Sequence, residues 1–177
     1  MDTSMDDQPD VYMTADAQAA ALTRTELSFI RTIEAFGRWA EYLHLSVSSA
    51  RLGVQEICLL HSIRMRGGAQ NLSELLMFLN RTDVSTIQYS LRKIEQHGLI
   101  ERVTGRSRRE AGYRLTDEGI RATDAYAALR DEILLGLIDE VNGFTASLGS
   151  AAAALERLTG LYDQATQTVL NRKIMVR

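Results

Sequence analysis

Between positions 81 and 109 the chain gathers Arg81, Arg92, Lys93, Arg102, Arg106, Arg108 and Arg109 against only Asp83, Glu95 and Glu101. This local surplus of four positive charges sits in a chain whose formal net charge is −3. Guanidinium groups bind phosphate oxygens through paired N–H donors, and each neutralised phosphate releases counterions, so a polyanion responds to local rather than net charge. Ser85, Thr86, Gln88 and Tyr89 stand among these cations. A glutamine amide can make two hydrogen bonds to an adenine edge, an arginine can bond guanine or phosphate, and hydroxyls suit phosphates or base edges. The candidate nucleic-acid contacts are therefore Arg81, Ser85, Thr86, Gln88, Tyr89, Arg92, Arg106, Arg108 and Arg109.

Such side chains act together only if one element presents them. Ile87, Leu91 and Ile94 recur at helical spacing between Asp83 and the breaker Gly98, which predicts a helix with Gln88 and Arg92 on the opposite face and Ser90 and Lys93 further round it. Upstream, a helix over Val54 to Arg66 has Ile57, Leu60 and Ile63 inward and stops at Gly67-Gly68. A short helix from Leu72 to Leu79 follows, with Asn71 and Glu74 in capping-box spacing, and Asp83 is placed to cap the next one. Short helix, tight turn and longer helix is the helix-turn-helix pattern. After Gly98 the period becomes extended, predicting strands at Leu99 to Val103 and Tyr113 to Thr116 around an arginine-rich loop bounded by Gly105 and Gly112. A strand pair directly behind a recognition helix is a wing.

The flanks are built differently. Residues 1–20 carry five aspartates, no basic residue and the only proline, and read as a mobile acidic tail. Residues 21–50 contain Phe29, Ile33, Phe36, Ala40, Leu43 and Val47 in steps of four and three, one apolar stripe along a long helix. A helix begun at Thr116, with Asp117 and Glu118 in its first turn, runs on into 120–177, where it carries Tyr126, Leu129, Ile133, Leu137 and Val141 to a stop at Gly143. A last helix carries Phe144, Leu148, Ala151, Leu155, Leu158, Tyr162, Ala165 and Val169. The terminal seams are of coiled-coil type, and their exposure on a monomer would leave a large apolar patch, so a homodimer is expected. The fold class is mainly α, a winged helix-turn-helix domain over 51–119 flanked by N- and C-terminal dimerisation helices.

The run Asn71-Leu-Ser-Glu-Leu75, Asp83-Val-Ser-Thr-Ile-Gln88, Leu91-Arg-Lys-Ile-Glu95, Gly98-Leu-Ile-Glu-Arg102, the arginine wing and Leu115-Thr-Asp-Glu-Gly119 resembles the winged helix-turn-helix of the MarR family of bacterial transcription regulators. The resemblance covers about residues 50 to 120 and rests on the order and spacing of these pieces together. It implies double-stranded DNA as partner, dimerisation through the terminal helices, and regulation of transcription, as a repressor at a pseudo-palindromic operator. Many members carry an Asp-x-Arg pair at the wing; here the stretch reads Gly105-Arg-Ser-Arg-Arg109, with the acidic partner missing or replaced. The resemblance further implies a small aromatic or anionic effector between the dimerisation helices and the winged domain, with Phe36, Trp39, Tyr42, His44, His61 and Arg64 as candidates. Each of these is also an ordinary packing residue for a dimer core.

Other chemistry finds little support. The lone Cys58 can form no internal disulfide, which fits a reducing compartment, and its apolar run Ile57-Cys-Leu-Leu60 suits a small buried hydrophobe. It does not stand near the start of the first helix, where some members of the resembled family carry an oxidant-sensing cysteine. His44, His61 and His97 lack neighbours at metal-ligand spacing, so no metal or other cofactor is expected. No nucleophile, phosphate-loop or zinc-protease motif is present, and an enzyme reading has no constellation to stand on. The start of the sequence lacks an apolar leader core and no long apolar run occurs, so a cytoplasmic protein is expected. The rival reading is a winged-helix module that has lost DNA binding and uses wing and seams for protein partners.

Overall fold

The computed structural model describes residues 13–104 and 112–175. They form two compact units, one ending at Ala127 and the other beginning at Ala128.

In the first unit α1 spans Ala17–Val47, α2 Val54–Arg66, α3 Leu72–Phe78, α4 Val84–Gln96, β1 Ile100–Val103 and β2 Gly112–Leu115, and α5 begins at Asp117. The first helix starts earlier than the composition suggests. Asp16 is its N-cap, accepting a hydrogen bond from the Ala19 N–H at 2.7 Å, so the last aspartate of the acidic segment is a structural cap and residues 17–20 are helical. The α1 stripe is divided. Ala40 and Leu43 are buried where α1 packs on α2, whereas Ile33 and Phe36 are exposed in the single chain. Residues 21–50 thus belong to the same compact unit as the winged domain.

The core is the aliphatic set foreseen from spacing, Ile57, Leu60 and Ile63 of α2 with Ile87, Leu91 and Ile94 of α4, joined by Leu59, Leu75, Leu99 and Ile100. Asn71 and Glu74 form the capping box of α3, exchanging bonds of 3.0 and 2.9 Å. The turn into α4 passes through Asn80 at φ 50, a left-handed position that asparagine tolerates, with the Arg81 N–H bonded to the Leu76 carbonyl at 2.8 Å. Gly98, at φ 72, ends α4 in the same manner, and the Leu99 N–H returns to the Ile94 carbonyl.

β1 and β2 pair antiparallel with Ile100 opposite Leu115 and Val103 opposite Gly112. Gln70, ahead of α3, adds a one-residue bridge on the other side of β2 by exchanging backbone bonds of 2.8 and 2.9 Å with Tyr113. The loop carrying Arg106, Arg108 and Arg109 lies outside the described residues.

α5, Asp117–Arg130, opens with Asp117 and Glu118 in its first turn and buries Ala122, Thr123 and Tyr126. The helix then departs from the expected phase. Asp131–Leu135 is a π turn, followed by the short α6 at Gly136–Asp139. A π turn holds one residue more than an α turn and carries later side chains about a quarter-turn round the axis. Ile133, Leu137 and Val141 are consequently exposed, while Leu134 and Ile138 take the half-buried positions. Gly143 separates this run from α7, Phe144–Met175, whose Phe144, Leu148, Leu155, Tyr162 and Val169 are exposed in the single chain. Among the described residues no helix is long and apolar enough to cross a membrane.

Candidate nucleic-acid interface

α4 presents one polar face. Ser85, Thr86, Gln88, Tyr89 and Arg92 are exposed, with Tyr89 at 62%, while Ile87, Leu91 and Ile94 pack inward. The structure thereby brings together on one helix five of the residues singled out from sequence. Arg81 is nearby but engaged: its Nε and Nη2 donate to the two carboxylate oxygens of Asp83 at 2.8 and 2.6 Å. That fork holds the Asp83 carboxyl far below the usual carboxylate range. Asp83 occupies the N-cap position of α4, yet its side chain makes no cap bond, because both oxygens face Arg81.

Ser90 and Lys93 lie further round α4, where the spacing placed them, Ser90 buried and Lys93 half-buried. Both bond the carboxylate of Glu56 on α2, Ser90 Oγ to Oε1 and Lys93 Nζ to Oε2, each at 3.1 Å. The Gly53 N–H donates to Glu56 Oε2 at 2.8 Å, and Gln55 Nε2 donates to Ser90 Oγ at 3.0 Å. Burial pushes the Glu56 carboxyl up, but the bonds from Gly53, Lys93 and Ser90 outweigh it and leave the group below its ordinary value. Sequence reasoning missed Glu56, although the available signal was the same as at Asn71 and Glu74: a glutamate three residues after the residue preceding a helix. Arg102 is likewise occupied, bonding the Tyr113 hydroxyl at 2.6 Å and lying over its ring.

Leu115-Thr-Asp-Glu-Gly119 joins wing to α5. Thr116 Oγ1 donates to the Gly98 carbonyl at 2.6 Å and accepts from the Gly119 N–H at 3.1 Å, and the Thr116 N–H bonds the Leu99 carbonyl. Gly119 lies directly against that carbonyl, where a Cβ would overlap the Leu99 oxygen.

The residues proposed from the resemblance to touch an effector divide. Phe36, Trp39, Tyr126 and His61 form a row with ring centroids 6.4, 6.1 and 4.3 Å apart in turn, and His44 is buried nearby. Tyr126, which the spacing placed on the apolar stripe of the helix begun at Thr116, is the ring that joins α1 to α2 in this row. Tyr42, 74% exposed, stands outside it, and Arg64 bonds Asp124 at 2.7 Å. His44 Nε2 and His61 Nε2 are buried without a hydrogen-bond partner among the described residues. Cys58 is half-buried, and burial pushes its thiol up.

Burial, with His44 adding to it, lowers the His61 imidazole from 6.5 to about 4. Between these values the unfolded chain binds a proton that the folded one refuses, so stability falls as pH is lowered through the window, by up to roughly 3 kcal/mol. His44, also lowered chiefly by burial, acts in the same direction. Urea unfolding at pH 7 and pH 4.5 should show a smaller acid loss for His61→Phe than for the unmodified chain; equal losses would remove His61 from the account.

Helix-turn-helix, two-stranded sheet and following helix together define a winged helix. Residues 52–119 match the family model described as a winged helix DNA-binding domain. The fold is similar to that of a MarR family transcription regulator at 18% identity, with a TM-score of 0.65 over 85% of this chain and 95% of that one. It is similar to Staphylococcus aureus MepR in a complex with DNA, at 18% identity and a TM-score of 0.58, covering 75% of this chain and 93% of that one. It is also similar to Staphylococcus aureus MarR in complex with salicylate and kanamycin, at 12% identity and a TM-score of 0.63, covering 80% and 92%. No curated protein matches the chain in sequence. Residues 52–119 thus match a winged helix family, and the fold is similar to that of MarR-family transcription regulators.

Proposed function

We propose that the protein is a dimeric, sequence-specific DNA-binding transcription regulator, a repressor that reads a pseudo-palindromic operator through α4 and an arginine-rich wing. The observation that carries this reading is the polar face of α4: Ser85, Thr86, Gln88, Tyr89 and Arg92 are all free of the core that Ile87, Leu91 and Ile94 occupy. A helix-turn-helix inserts the first turns of its second helix into the major groove, where this set of side chains can meet base edges. The similarity to MepR, seen with DNA, agrees with it.

Gln88→Ala should cost about 1–3 kcal/mol on a selected site and leave binding to random duplex nearly intact, whereas Arg92→Ala should weaken both. Fluorescence anisotropy on the two duplexes distinguishes them; equal losses for Gln88→Ala would sink direct readout by this residue. A gel shift at two salt concentrations separates the DNA reading from a protein-interaction module, which would show no salt-dependent retardation.

The dimer is inferred from the apolar residues that α1 and α7 each leave exposed in the single chain, Ile33 and Phe36 on one and Leu148, Leu155 and Val169 on the other. Sedimentation at micromolar concentration should return the mass of two chains, and a clean monomer would overturn the two-fold operator. A small aromatic or anionic effector would lie along the Phe36, Trp39, Tyr126 and His61 row, where the unpartnered nitrogens of His44 and His61 await a polar group. MarR bound to salicylate supports that class of ligand.

A further inference from the structure

We propose that Glu56 is a positioning residue for α4: gripped at the start of α2, its carboxylate fixes through Ser90 and Lys93 the rotation at which Gln88, Tyr89 and Arg92 face outward. The proposal rests on the reading of α4 as the helix that meets DNA.

Apart from these bonds and one from Gln55 to Ser90, the contact between α2 and α4 is aliphatic, with Ile57, Leu60 and Ile63 against Ile87, Leu91 and Ile94. Apolar burial is non-directional and tolerates small rotations when neighbouring rotamers adjust. Hydrogen bonds do not, since they weaken steeply once distance and angle depart from a narrow range. Ser90 and Lys93 are three residues apart and therefore neighbours on the helix surface. Each holds a different oxygen of the same carboxylate, and a two-point attachment of this kind fixes rotation and axial register together.

The carboxylate itself is held. Glu56 is only 8% exposed, and the Gly53 N–H ties Oε2 to the beginning of its own helix. Gln55 in turn bonds Ser90 Oγ, orienting the hydroxyl so that its proton points to Glu56. The same end of α2 is steadied from α1, where Glu41 Oε1 accepts the Val54 N–H at 3.0 Å. Rotating α4 by 20° would move an atom about 6 Å from its axis by roughly 2 Å, well beyond the tolerance of a bidentate base contact. A partly buried ion pair is also a modest source of stability, because desolvation offsets much of the attraction between its charges. Orientation is what this arrangement supplies and an aliphatic one would not.

The test compares the full-length protein with Glu56→Gln, Ser90→Ala and Lys93→Arg. A duplex is selected from a random pool by the unmodified protein, and anisotropy gives its affinity relative to random duplex, with melting midpoints recorded for each variant. Glu56→Gln removes a negative charge, so electrostatics alone would strengthen binding to every duplex. Positioning instead requires the selected-to-random ratio to fall by about tenfold, the size of losing one base contact. Ser90→Ala, which deletes one hydroxyl, should lower the ratio in the same direction while random binding stays within about twofold, and Lys93→Arg, which keeps a donor, should retain most of it. Should Glu56→Gln fail to fold, Ser90→Ala alone decides. A protein that selects a sequence but whose Ser90→Ala and Glu56→Gln variants discriminate equally well overturns the positioning role. A protein that selects no sequence at all overturns the reading of α4, and this proposal with it.

Discussion

Gly119→Ala is expected to destabilise the protein by about 3 kcal/mol or more, although alanine is the better helix former by about 1 kcal/mol. Its Cβ would overlap the carbonyl oxygen of Leu99, a backbone atom that cannot swing away as a side chain could. That oxygen also accepts the Thr116 N–H, so withdrawing it breaks the bond that seats α5 behind the wing. Gly149 of α7 supplies the comparison: nothing lies within 4 Å of a Cβ added there, and Gly149→Ala should be neutral or gain up to about 1 kcal/mol. Urea midpoints of the two variants should shift in opposite directions or, at the least, differ by more than 2 kcal/mol in the free energies they yield, on the order of the overpacking cost. A loss at Gly119 below about 1 kcal/mol would show that the β1 and α5 junction yields more readily than its hydrogen bonds indicate.

The second large effect concerns Arg106, Arg108 and Arg109. Replacing all three by alanine should weaken binding to every duplex, selected or random, and flatten the dependence of log affinity on log salt by roughly one unit per lost phosphate contact, about three in all. Arg106→Glu should be worse than Arg106→Ala, because it adds repulsion from the phosphates. The expectation is sharpened by what the other cations are doing. Arg81 is forked to Asp83 and Lys93 is tied to Glu56, so neither of these two cations can meet a phosphate without giving up its carboxylate. An unchanged salt slope in the triple variant would move phosphate binding away from the wing.

Much of the winged unit was legible because its determinants are local. The bounds of α2 follow from its apolar spacing and the Gly67-Gly68 stop, α3 from the Asn71 and Glu74 box, and the phase of α4 from Ile87, Leu91 and Ile94. What escaped the sequence was of two kinds. The π turn at Asp131–Leu135 shifts the phase of later residues in a way that a strict 3.6-residue period does not foresee, so Ile133 and Leu137 are exposed in the single chain while Leu134 and Ile138 are half-buried. The other kind is the polar side chain whose partner comes from a distant segment. Spacing placed Ser90 and Lys93 further round α4 but named no partner for them, because periodicity records where apolar groups recur and carries no information on a carboxylate one helix away.

The order of the sheet bears on how the chain avoids its own kind. β2 is paired with β1 on one side and with Gln70 on the other, so among the described residues β1 is the strand with an open side. An unpaired strand edge is a template for another chain, and proteins blunt it by keeping the strand short and placing charges on it. β1 has only four residues, Ile100–Val103, and two of them are the exposed Glu101 and Arg102. Glu101 bonds Arg114 across the pair and Arg102 bonds Tyr113, which fixes both charges in the outer rows of a very small sheet. β1 therefore offers a second copy of the chain only a short, charged edge to extend.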